Sequence, residues 1–182
     1  MKDFFTIVQD PFSYSIHEEG APDKIIWSTD PNRFYFTDYL VFDSGIFNLN
    51  PATGFPLMGM GERAGSLFYN NEQGGIHSRY NIDQANPIDD GLPPGRNMYG
   101  TQPFYVFQST NTQFFGVFDL SSYAMDYILD FNAGVKTQIT NIKIGGMIQK
   151  FFFRGDRPDA VITLYEKLTG MPQMPPLWAF GW

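Results

Sequence analysis

The chain has 182 residues, enough for one domain with a sizeable core and the margin of a second. Aromatic residues make up 18% of it, with 19 Phe and 10 Tyr, against 17% charged residues, which excludes disorder and demands a large apolar interior. Twelve Lys and Arg against 19 Asp and Glu give a net charge of -7 that repels phosphate backbones and anionic lipid, and the lack of cysteine excludes disulfides, thiol catalysis and thiolate metal sites.

Neither a nucleic-acid nor a membrane partner is expected. The opening "MKDFFTIVQDPF" carries Asp3 and no signal-peptide pattern, no later run reaches spanning length, and the chain reads as soluble. From there, short apolar or alternating runs recur: "FTIV", "FSYSIH", "KIIWS" and "RFYFT", then "PFYVFQ", "FFGVFDL", "YAMDYIL", "KTQIT" and "MIQKFFF". Breakers such as "EEGAPD", "NPATGFP" and "STNTQ" separate them, the spacing of an all-β antiparallel sandwich or barrel. Consecutive aromatics in "QFFGVFDL" and "KFFFRG" predict strands covered on both faces, which makes Phe151, Phe152 and Phe153 core residues and not sugar platforms.

Between the strand runs, "NNEQGGIHSRYNIDQANPIDDGLPPGRNMYG" is long, polar and rich in turn residues, so it is expected to run over the surface, anchored by Ile76, Tyr80, Ile82 and Met98. "RPDAVITLYEKLTG" alone reads as a helix: Pro158 and Asp159 suit its first turn, Val161, Leu164, Tyr165 and Leu168 share a face, and Gly170 caps it. The final "PPLWAFGW" is then expected to enter the first strand of a further, covered sheet.

The two histidines, His17 and His77, lack the carboxylate spacing of a metal site, and no metal or cofactor is expected. In "GMGER", Gly59 and Gly61 allow close backbone approach, while Glu62 and Arg63 read as structural partners; Asp126 reads as a strand-end acceptor.

Five stretches in fixed order, "GMGER", "YNID", "YGTQPFYVF", "GVFDLSSYAMDYIL" and "LYEKLTGMPQMPPLWAFGW", resemble the N-terminal β-sandwich of the α-glucosidases of glycoside hydrolase family 31. The resemblance runs from about Met1 to Trp182. It implies a sandwich of the galactose-mutarotase type (1–155), a connecting helix (156–170) and the first strand of a (β/α)8 barrel cut short (171–182). In the family a pair of barrel aspartates cleaves α-glucosidic bonds with retention, so this chain alone is expected to be inactive, its barrel supplied in cis or by another chain. The resemblance also implies that Asp83, closing the Tyr80–Asn81–Ile82–Asp83 counterpart of a WN-x-D motif, contacts an α-glucoside or oligosaccharide at a shared cleft. Gln84 and Asn86 are weaker neighbours of that site. Tyr80, Asp119 and Tyr123 depart from the family's usual Trp, Leu and Asn. Two other readings are a non-catalytic carbohydrate-binding or structural module derived from such an enzyme, and sugar mutarotation by His77 with Glu72, which the fold alone does not license.

Overall fold

The computed structural model describes residues 5–49, 55–61, 68–69, 75–79, 100–109, 113–132 and 136–180. In chain order the strands are β1 (Phe5–Gln9), β2 (Phe12–Glu18), β3 (Ala21–Thr29), β4 (Tyr35–Phe36), β5 (Val41–Phe47), β6 (Leu57–Gly59) and β7 (Phe68–Tyr69). They continue with β8 (Gly75–Arg79), β9 (Phe104–Gln108), β10 (Phe114–Asp119), β11 (Met125–Asn132), β12 (Lys136–Lys143) and β13 (Lys150–Gly155), followed by helix α1 (Pro158–Thr169). One sheet runs β1-β2-β3-β5-β12-β11-β8 with β4 on the side of β5; the other runs β13-β10-β9-β6-β7. Every pairing among the described residues is antiparallel, the expected architecture.

Strand alternation divides the aromatics between two interiors. Tyr105 and Phe107 of β9, Phe115 and Val117 of β10 and Phe152 of β13 face the larger sheet, where Tyr14, Ile16, Trp27, Phe47, Tyr127, Leu129 and Ile139 meet them. The intervening Phe104, Val106, Phe118, Phe151 and Phe153 face outward onto α1, whose Val161 is fully buried against them. The smaller sheet is therefore covered on both faces, as its consecutive aromatics require.

Helix α1 is a third layer. It starts at Pro158 and stops at Gly170, which takes φ 95° and donates its N–H to the Glu166 carbonyl at 2.8 Å. A Cβ on Gly116 of β10 would stand 2.6 Å from Val161 Cγ1, so the bare strand backbone lets the helix come close. Burying Val161 contributes about 1.5–3 kcal/mol. The buried face holds Val161, Ile162 and Tyr165; Leu164 and Leu168, predicted to share it, are exposed. The sheet covers only part of the apolar stripe and leaves the rest open.

Leu177–Phe180, expected to enter a barrel strand, stand as a 3-10 turn, with no strand among the described residues for them to pair with. Two other readings need correction. Strand β3 begins inside the predicted breaker "EEGAPD": Ala21 pairs with Glu18 and Ile25 with His17, so residues 22–24 stand outside the ladder and Pro22 costs no pairing. Strand β5, central in the larger sheet, was not among the predicted runs because Asp43, Ser44 and Gly45 interrupt its apolar pattern. Gly45 makes room for Trp27, whose ring carbon Cζ2 would lie 2.2 Å from a Cβ there.

Candidate functional site

Asp83, with Tyr80, Gln84 and Asn86, lies outside the described residues, as do Glu62, Arg63 and Glu72. The structure does describe both anchors of the segment that carries Asp83, Arg79 before it and Gly100 to Phe104 after it. Arg79 ends β8 at the rim of the larger sheet, its side chain buried, with Nη2 donating to the Tyr69 hydroxyl at 2.6 Å. Tyr69 in turn donates to the Gly59 carbonyl at 3.4 Å.

Gly59, Met60 and Gly61 all take positive φ, of 116°, 66° and 86°. A Cβ on Gly61 would stand 2.7 Å from both the Gln102 nitrogen and the Gly100 carbonyl oxygen, and one on Gly59 would stand 2.5 Å from the Phe104 carbonyl oxygen. Met60 N–H donates to that same carbonyl at 2.8 Å. The glycines of "GMGER" thus let one backbone lie directly against the other, as the sequence suggests.

Beneath these anchors lies a cluster that the sequence does not announce. Asp119, the inward residue at the end of β10, is fully buried, and its backbone N–H holds the Pro103 carbonyl at 2.8 Å. Its carboxylate receives Lys143 Nζ on Oδ1 at 3.3 Å, and on Oδ2 Lys150 Nζ at 2.5 Å, Asn141 Nδ2 at 2.8 Å and the Tyr127 hydroxyl at 3.3 Å. Lys150 Nζ also lies 2.5 Å from Asp43 Oδ2, and Lys143 Nζ donates to the Met147 carbonyl at 3.1 Å. Two acids and two lysines, drawn from both sheets, balance in charge.

Burial alone would raise the pKa of Asp119, but Lys150 and Lys143 beside it hold it below the ordinary carboxylate value. Asp43 goes the other way: burial raises it, and Lys150 only partly opposes the shift. Burial would lower Lys150, yet Asp119 and Asp43 push it well above the usual lysine range. Burial also raises the phenols of Tyr14, Tyr105 and Tyr127. Two close carboxylates suggest the pair of a retaining glycosidase, which brackets a scissile bond. Here an ammonium occupies the gap and both acids are out of solvent, so the pair is structural.

The histidines are not brought together. His17 sits on β2 and His77 on β8, near opposite edges of the larger sheet. His17 Nε2 is 2.7 Å from the Ser15 hydroxyl, and His77 lies edge-on to Tyr69 with ring centroids 4.9 Å apart. Among the described residues no three His, Asp or Glu side chains converge as a metal site would require. A groove of about 510 Å³ runs between α1 and the smaller sheet, lined by Met58, Gln102, Phe104, Tyr165, Thr169 and Met171 among others. Beyond it Met174, Leu177 and Trp178 are each at least 80% exposed.

No protein-family model matches the chain. A protein of Arthroderma benhamiae named as an alpha/beta-glucosidase is 32% identical over 97% of this chain, of which the aligned part makes up 19% of that relative. The chain belongs to glycoside hydrolase family 31. It is a β-sandwich domain of a family 31 enzyme and spans about a fifth of the length of the curated relatives it matches. Among solved structures, the heterodimeric ER glucosidase II complex aligns with a TM-score of 0.69 at 16% identity, over 86% of this chain and 21% of that one. A family 31 dextranase of Flavobacterium johnsoniae aligns at 0.68 and 20%, over 93% of this chain and 19% of that one. At those identities the likeness establishes the shared sandwich fold.

Proposed function

We propose that this family 31 domain serves a retaining hydrolase of α-linked glucosides, supporting a (β/α)8 barrel and presenting Asp83 to the sugar at the barrel mouth. The observation that carries the reading is the alignment of nearly the whole chain with an alpha/beta-glucosidase at 32% identity. It is supported by the built anchors on either side of the Asp83 segment. Arg79 and Gly100 to Phe104 belong to the same end of the sandwich, since Arg79 pairs with Met125, Met125 with Lys143, and Lys143 reaches Asp119 beside Pro103.

A carboxylate suits the task assigned to Asp83 because it accepts hydrogen bonds from two adjacent hydroxyls of one sugar ring. The nucleophile and the acid/base belong to the barrel, about 5 Å apart as retention demands. The groove under α1 and the exposed side chains of Leu164, Leu168, Met171, Met174, Leu177 and Trp178 are apolar surface for that barrel to cover.

The test is to assay the full-length protein on maltose and p-nitrophenyl α-glucoside while following the released sugar by NMR. Glucose appearing first as the α-anomer is the expected result. Release of the β-anomer, or no hydrolysis of either substrate, contradicts the reading.

A further inference from the structure

The cluster between the sheets holds two carboxylates that are chemically alike and unequally served. Asp119 has four donors on its two oxygens: Lys143, Lys150, Asn141 and Tyr127. Asp43 is 1% exposed; its ion-pair partner among the described residues is Lys150 Nζ, 2.5 Å from Oδ2, and among them neither oxygen has a well-directed hydrogen bond. Because the same ammonium touches both acids, their nearest oxygens are no more than twice that distance apart.

Charged and titratable groups approach the cluster from every strand packed around it: Tyr14 of β2, Tyr105 of β9, Asp119 of β10, Tyr127 of β11, Lys143 of β12 and Lys150 of β13. The charge of Arg79 of β8 bears on the Tyr127 phenol. Of these, only Lys150 is in direct contact with Asp43 as a cation.

We propose that Asp43 is the proton-accepting member of this cluster, so that as pH falls the closed sandwich first carries a neutral Asp43 beside a charged Asp119. The proton comes from solvent, and the acid gains an O–H that neutralises it. Lys150 remains paired with Asp119 within the smaller sheet, and Lys143 of the larger sheet remains paired with Asp119, which keeps the sheets joined. The first proton neutralises a poorly solvated buried charge; it gives up the Lys150–Asp43 pair but leaves both ammonium contacts of Asp119 in place.

The sign follows from linkage. A carboxyl group whose folded value is raised binds its proton more tightly in the folded state, so its contribution to stability is complete below the unfolded value and is lost as pH rises through the folded one. Asp119 is depressed, so its contribution is present above the unfolded value and is lost as pH falls through its folded one. Falling pH therefore acts on Asp43 before it touches the Asp119 latch.

The experiment compares the full-length protein with its Asp43→Asn variant, an uncharged stand-in for the protonated acid. Hydrogen exchange of peptides from β5, β10 and β13 is read across the acid range, with infrared detection of neutral carboxyl groups. Expected are slower exchange in the variant than in the wild type at neutral pH, and a gap that closes as pH falls. A neutral-carboxyl band that grows with acid in the wild type and is missing from D43N is expected with it. Faster exchange in the variant at neutral pH, a gap independent of pH, or no missing band overturns the proposal. So does failure of D43N to fold, since the proposal requires the site to accept an uncharged group. These readouts involve no substrate, so they stand or fall separately from glucosidase activity.

Discussion

Lys143 Nζ lies 3.3 Å from Asp119 Oδ1, both side chains are wholly buried, and each comes from a different sheet of the sandwich. Breaking one side of such a pair leaves an uncompensated charge in a low-dielectric interior, which costs far more than the pair itself contributes. Lys143→Met is expected to destabilise the domain by about 3–5 kcal/mol. The double variant D119L/K143M restores leucine, the family's usual residue after "GVF", and leaves Asp43 and Lys150 as a balanced pair. It is expected to cost clearly less than the two single changes added together. Denaturant unfolding of the four forms measures the coupling, and strict additivity would contradict the assignment of these residues to one network.

Alkali acts on the same cluster through Lys150. Its folded pKa is raised by Asp119 and Asp43, so its contribution to stability is full below the ordinary lysine value and is lost as pH rises through the folded one. Protection of β10 and β13 amides is expected to hold through neutral pH and weaken only in strong base. Lys150→Met is expected to abolish that alkaline loss, and an unchanged alkaline limb in the variant would show that another group is responsible.

Gly116 and Val161 form a second contact that leaves no spare room. Gly116→Ala places a methyl group 2.6 Å from Val161 Cγ1 and 2.8 Å from the Phe104 ring. The overpacking is expected to cost about 1–3 kcal/mol. Adding Val161→Ala should recover part of that loss, because the methyl groups removed are those that clash. A calorimetric comparison of melting midpoints that found no recovery would place the strain elsewhere.

The exposed apolar run tests the docking of the barrel. Met171, Met174 and Trp178 are expected to resist oxidative footprinting in the full-length protein, shielded by the proposed barrel. Their full reactivity there would mean that nothing covers this face.

Much of the sandwich was legible because its physics is local. Apolar runs identified β9, β10 and β13 as strands, consecutive aromatics marked β10 and β13 as covered on both faces, and Pro158 and Gly170 bracketed the helix. What escaped was set by tertiary contact. Strand β5 contains Asp43, Ser44 and Gly45, a poor strand pattern that works only because Lys150 reaches Asp43 and Trp27 fills the space over Gly45. The helix stripe was right in period, but only packing decides which half of it is buried. The anchoring role of Gly59 and Gly61 was readable, since closely placed glycines beside a polar loop suggest backbone against backbone. The charge cluster was not, because Asp43, Asp119, Lys143 and Lys150 are scattered along the chain, and only the departure at Asp119 marked any of them.

The most direct measurement concerns Asp83 itself. In the full-length protein, kcat and KM for maltose are compared between wild type and Asp83→Ala, with Asp130→Ala, a change at an exposed strand position, as a control. A buried charged hydrogen-bonding group on the substrate is worth about 1.5–3 kcal/mol, so kcat/KM is expected to fall on the order of 100-fold for Asp83→Ala, with the control unchanged. Wild-type kcat/KM in the Asp83 variant would contradict the claim that this sandwich lends an acidic side chain to the sugar site.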